Sequence, residues 1–214
     1  MSVLRQPDVL GRTRRQHVLG ATAALSAGAV EAVSVGVWFV LAVGSRTVTT
    51  ALIGVVVLVG GALLRARVVA AVVGSRRLRR GPRWLGLSLV ATAGWICWLL
   101  LAETVGSPAG PIVATGFLGA VLAAQLALEQ AACRSRSADP DRLAALGAGL
   151  LLALGAGLLF WSAQVPDWVI DSPPLPLGVA TVVVRIEPLQ LGLLGFGVLA
   201  ICAHQRRFQR LLEA

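Results

Sequence analysis

The sequence predicts an all-α membrane protein of six transmembrane helices, and three observations predict it. Of its 214 residues, 57% are hydrophobic and only 14% charged, with a mean hydropathy of +0.81. Soluble domains run nearer roughly 45–50% and about 25%. The apolar residues gather into six stretches close to the roughly 20 residues that span a ~30 Å hydrocarbon core. Finally, Arg residues crowd into every second connection between those stretches. This composition excludes a water-soluble globular domain, a disordered chain and a nucleic-acid-binding module, and makes the lipid bilayer the expected surroundings. The net charge of +9 sits in short loops, where it directs topology. Every basic residue is Arg, and Lys, Asn and Tyr are absent. A GC-rich coding bias accounts for that, so the Arg content does not signal phosphate recognition.

The first stretch is Val18 to Val43, interrupted only by Glu31, and the second is Val48 to Val73, carrying Arg65 and Arg67. Trp84 to Val105, Pro111 to Ala132 and Leu143 to Val165 follow. The sixth lies within Leu177 to His204 and contains Arg185, Glu187 and Pro188. Gly44–Thr47, Gly81-Pro82, Ser107–Pro111, Asp139–Asp141 and Ser172–Pro176 separate them. Such Pro and Gly clusters end helices, because Pro lacks an amide donor and Gly is conformationally loose. The sixth span has two registers. One starts near Leu177 and buries Arg185. The other starts at Pro188, a residue suited to a first helical turn, and leaves Arg185 and Glu187 at the outer interface.

Arg5, Arg12, Arg14 and Arg15 precede span one. Five Arg lie between spans two and three, three between spans four and five, and three after span six. The alternate connections hold only Arg46. By the positive-inside rule, this places both termini in the cytoplasm of a cell-membrane protein. The chain divides into an Arg-rich tail (1–17), a six-helix transmembrane domain (18–205) and a second tail (206–214). Arg14-Arg15 resembles a twin-arginine export signal, but His17 stands where a bulky apolar residue belongs. Cleavage after Ala29 would leave a stub too short to span, so the segment reads as an uncleaved first helix.

Small residues recur every fourth position at Gly20, Ala24, Gly28, Ala32 and Gly36, at Gly116, Ala120 and Ala124, and at Ala145, Gly149, Ala153 and Gly157. Such rows let helices approach closely, either within the chain or along a seam with a homo-oligomer or another membrane protein. Trp38, Trp98 and Trp161 recur about 60 residues apart. This is compatible with three tandem helical hairpins, or with Trp anchors at an interface.

Glu31 is the most informative residue. It lies about 20 Å into span one at 1.5 Å per residue. A carboxylate at such depth costs roughly 2.5–3.5 kcal/mol, and it faces a partner or becomes protonated, because desolvation disfavours its charge. Arg185 is its candidate partner if span six starts at Leu177. Arg65 and Glu129 form a second candidate pair, with snorkelling of the Arg head as the alternative. Counted from the cytoplasmic ends, these depths do not predict a Glu31–Arg65 contact. His17 and His204 read as interfacial residues. No cofactor-binding, metal-binding or nucleophile–base pattern stands out, so no cofactor, metal or catalytic residue is assigned and an enzymatic role is disfavoured. Two functions fit: a small ion- or proton-coupled transporter or channel using the buried Glu, or a non-catalytic accessory or assembly protein that binds anionic lipid or a partner protein.

Overall fold

Lipid offers no partner for a backbone amide, so an apolar run must satisfy its own N–H and C=O groups as a helix. All six runs do so in the computed structural model. It describes residues 7–45, 47–73, 83–106, 109–133, 142–165, 168–176, 178 and 181–213. The helices are α1 (Pro7–Gly44), α2 (Val48–Val73), α3 (Arg83–Thr104), α4 (Ala109–Cys133), α5 (Arg142–Ala163) and α6 (Pro188–Glu213). Each is long and apolar enough to cross a membrane. The Arg clusters at 76–80 and at 134 and 136, and the side chains of the first 17 residues, lie outside the described residues.

Local chemistry sets the helix ends. Thr47 caps α2, its Oγ1 accepting from the Thr50 amide at 3.2 Å while the Thr47 amide donates to Thr50 Oγ1, a reciprocal cap. Gly106, with φ of 78°, takes the left-handed conformation that closes α3. Glu187 caps α6: Gln190 Oε1 accepts from its amide at 3.2 Å, and Pro188 fills the first turn, where its missing N–H is harmless. The last helix therefore begins at Pro188 rather than near Leu177. The preceding segment is extended, with β1 (Ile170–Asp171) paired to β4 (Arg185–Ile186) and β2 (Leu175–Pro176) to β3 (Thr181–Val182), all antiparallel.

Each helix packs against its neighbours in sequence, and α6 packs back against α1. The small-residue rows of α1 and α5 serve this packing. A Cβ on Gly28 would stand 2.8 Å from Ile201 Cα, and one on Gly149 would stand 2.7 Å from the Ala123 amide nitrogen. The α4 row behaves differently, because Gly116, Ala120 and Ala124 are exposed while Gly119 and Ala123 face α5. Two kinds of side chain fill the interior. Toward the strand-bearing end, Trp98 packs against Phe39, Trp95 and Phe160, and Trp95 also meets Phe196. Trp38 and Trp98 are thus core residues, at 5% and 0% exposed. Among the three Trp of the 60-residue period, only Trp161 is exposed as an interfacial anchor would be. The other half of the interior holds a charged layer together with a second apolar cluster of Ala23, Ala24, Ala27, Val69 and Phe208.

Candidate functional site

Four helices contribute to a buried polar layer. Glu31 comes from α1, Arg65 from α2, Gln125 and Glu129 from α4, and His204 and Arg207 from α6. None is more than 5% exposed. Arg65 is the bridge. Its Nη1 donates to both carboxylate oxygens of Glu31, at 3.0 and 3.1 Å, and its Nη2 donates to Glu129 Oε1 at 3.3 Å. Glu129 also accepts from Gln125 Nε2 at 2.9 Å and from Arg207 Nη2 at 2.5 Å. The network closes at His204, whose Nε2 lies 2.6 Å from Glu31 Oε2.

Helix geometry explains why these residues meet. Side chains tilt toward the N-terminus of their own helix. Because Ser45–Thr47 turn α1 back into α2, Glu31 leans away from that turn and Arg65 leans toward it. The two tilts, with the length of the Arg side chain, close an offset of about one helical turn, or ~5.4 Å. Gln125 and Glu129 are four apart and share a face of α4. His204 and Arg207 are three apart and continue the buried face of α6 that holds Phe196, Ala200 and Ala203.

Two carboxylates and two guanidinium groups balance in charge, which is how buried ions are tolerated. With Glu31 ionised, His204 donates from Nε2, and its Nδ1 is then free of a proton in the neutral ring. That leaves one carboxylate, Glu31, held by two cation-forming groups of different kinds. Arg is always charged, whereas an imidazole exists in neutral and protonated forms.

The sequence-based candidates fare unequally. Glu31, Arg65 and Glu129 come together. Arg185 does not join them: it is exposed on β4, opposite Asp171, because the last helix begins three residues beyond it. The Glu31–Arg185 pairing is therefore replaced by Glu31–Arg65–His204. Backbone depth alone disfavours a Glu31–Arg65 contact, and the contact forms because the opposed tilts of the two side chains and the reach of the Arg close the remaining offset. Sequence reasoning missed Gln125, His204 and Arg207. His204 was assigned to the interface and Arg207 to the C-terminal tail, yet each is 1% exposed. The signal available was their three-residue spacing, in phase with Phe196 and Ala200.

Several buried polar atoms of the layer have no hydrogen-bond partner among the described residues: Arg65 Nε, Arg207 Nε and Nη1, His204 Nδ1 and Gln125 Oε1. Donors outnumber acceptors in this set, as they would in a site that also holds water or another acceptor. No family model, curated protein or solved structure matches the chain.

Proposed function

We propose that this is a proton- or ion-coupled transporter or channel of the cell membrane, with Glu31 as the exchanging carboxylate and both termini in the cytoplasm. The observation that carries this reading is the 2.6 Å contact between His204 Nε2 and Glu31 Oε2 inside the bundle. Intramembrane ionisable residues of this kind mark proton relays and ion pathways. A proton placed on Glu31 breaks its attraction to Arg65, and a proton placed on His204 strengthens the pair. The His–Glu contact therefore couples proton occupancy to how tightly α1 holds α2 and α6. The cytoplasmic assignment rests on the concentration of Arg in every second connection, against Arg46 and Arg185 alone in the others.

A second reading is favoured by the completeness of the ion pairing. Glu31–Arg65–Glu129–Arg207 ties α1, α2, α4 and α6 together, as a device that fixes helix register would. In that case the protein is an accessory or assembly factor that moves nothing.

One experiment separates the two. The protein is reconstituted in liposomes that enclose a pH-sensitive dye, and proton flux is compared for wild type, Glu31→Gln and His204→Gln. The transport reading expects flux in the wild type, its loss in Glu31→Gln and at least a tenfold reduction in His204→Gln, with all three equally monodisperse and helical. Absence of flux from the folded wild type leaves the accessory role. Flux that is unchanged in Glu31→Gln removes Glu31 from the pathway.

A further inference from the structure

Around the bundle, α2 and α3 are the sparsest-packed of the neighbouring pairs, and two openings lie along that seam. The inner one is a cavity of about 10 Å³, against Glu31, Ser34, Arg65 and Thr92, with Leu58 and Trp95 as apolar walls. That volume is at the lower edge of what one water requires. Four polar residues line it, against the two to four partners a buried water uses. One of them, Arg65, is 3% exposed and has its Nε unpartnered among the described residues. The outer opening is a groove of about 440 Å³ between α1, α2 and α3. Thr47, Thr50 and Glu103 lie at its helix-end rim, and Trp38, Ile96 and Leu99 lie deeper. Along α3, Glu103 at the rim and Thr92 at the inner cavity are separated by roughly 16 Å at 1.5 Å per residue.

We infer that the α2–α3 seam is the access route from the strand-bearing end of the bundle to Glu31, with a single water held by Glu31, Ser34, Arg65 and Thr92 at its inner end. The polarity of the seam is graded as such a route requires. Hydroxyls and a carboxylate lie at the rim, an apolar neck of Trp38, Leu58, Trp95 and Leu99 lies between, and Ser34 and Thr92 reappear beside the ion pair. Ser34 Oγ donates to the Glu31 backbone carbonyl at 3.2 Å, and Thr92 Oγ1 to the Ser88 carbonyl at 2.9 Å. Each hydroxyl oxygen thereby keeps its lone pairs for a water, while Arg65 Nε supplies a donor. The remaining contacts of Glu31 are on α2 and α6, so this cavity is the face of the carboxylate from which a proton reaches it. What the route carries rests on the proton reading above; its existence does not.

Thiol accessibility tests the route without measuring flux. In a full-length protein with Cys97, Cys133 and Cys202 changed to Ser, single cysteines are placed at Thr92, Val55 and Leu150 and reconstituted in liposomes. Val55 lines the outer groove, and Leu150 is exposed on α5. Ag+, a thiol-binding cation close to a water in size that does not partition into lipid, is the probe, its reaction read as the thiols protected from maleimide after denaturation. Thr92→Cys and Val55→Cys are expected to react at least tenfold faster than Leu150→Cys, and Ala51→Trp, which fills the groove, is expected to slow both at least tenfold. Reaction of both no faster than Leu150→Cys, or rates indifferent to Ala51→Trp, overturns the route. Fast labelling in a protein that shows no proton flux keeps the route and removes the proton reading. Flux without labelling removes the route and keeps the proton reading.

Discussion

The two halves of the bundle interior solve one packing problem by opposite means. Toward the strand-bearing end, Phe39, Trp95, Trp98, Phe160 and Phe196 fill the space with rings that meet edge-on or tilted. In the other half, Glu31, Arg65, Glu129, His204 and Arg207 form a layer of directional bonds, with Ala23, Ala24, Ala27, Val69 and Phe208 as a small apolar cluster beside it. Lipid tails are as apolar as the rings, so the aromatic half gains little from leaving its surroundings and relies on close packing. The charged half gains from mutual satisfaction, and it fails when one member is missing. The lesson is that the aromatic half tolerates imperfection, whereas the polar half tolerates only paired change.

The sharpest way to break this contrast is Arg65→Met. It strips Glu31 of its guanidinium partner and Glu129 of one of two. Breaking a buried pair from one side costs about 3–5 kcal/mol, and a denaturation titration in mixed micelles should show a loss of that order. The paired replacement Glu129→Met with Arg207→Met should recover most of what either single change loses, since removing both ions together is often near neutral. A double variant as damaged as the sum of its parts would show that these two residues do not act as a unit. Next in size is Trp98→Ala. In water a buried aromatic truncation costs about 3–5 kcal/mol, part of it hydrophobic transfer. Within lipid that part shrinks, and on the order of 2 kcal/mol should remain as lost packing. If Trp98→Ala proves more damaging than Arg65→Met, the contrast is inverted. The smallest effect belongs to Arg185→Ala, on the exposed hairpin, within about 0.5 kcal/mol. Exchanging the charges of Glu31 and Arg185 should accordingly rescue nothing.

Helices α2 to α5 were legible to within about two residues at each end, because an apolar run bounded by Gly and Pro has few alternatives in a membrane, whereas α1 runs on through its polar N-terminal segment to Pro7. The sixth was ambiguous since Val182–Val184 extends its apolar run across Arg185 and Pro188. Hydropathy alone cannot separate an apolar strand from the start of a helix. The Glu187–Gln190 cap decides it, and that cap was present in the sequence as Glu187, Pro188 and Gln190. The polar layer was half legible. Glu31, Arg65 and Glu129 announce themselves as charges within apolar runs. His204 and Arg207 lie where a helix end is expected to meet headgroups, so their burial follows from the length of α6 and its packing on α1, which composition does not encode. Trp38 and Trp98 were ambiguous for a related reason, as one side chain serves equally as core or as interfacial anchor.

The polar layer also constrains how the chain is assembled. Of the six spans, α6 has the lowest mean hydropathy, 1.3, and it brings both a guanidinium and an imidazole. Arg207 and His204 lie within the last two turns of that span; an Arg costs roughly 2.5–3.5 kcal/mol on insertion at a helix centre and less near an end, where it can snorkel. The carboxylates that offset this burden, Glu31 and Glu129, precede it in the order of synthesis. The last of these six spans to emerge from the ribosome is therefore the least able to partition unaided, and it enters the bilayer toward counter-ions that precede it.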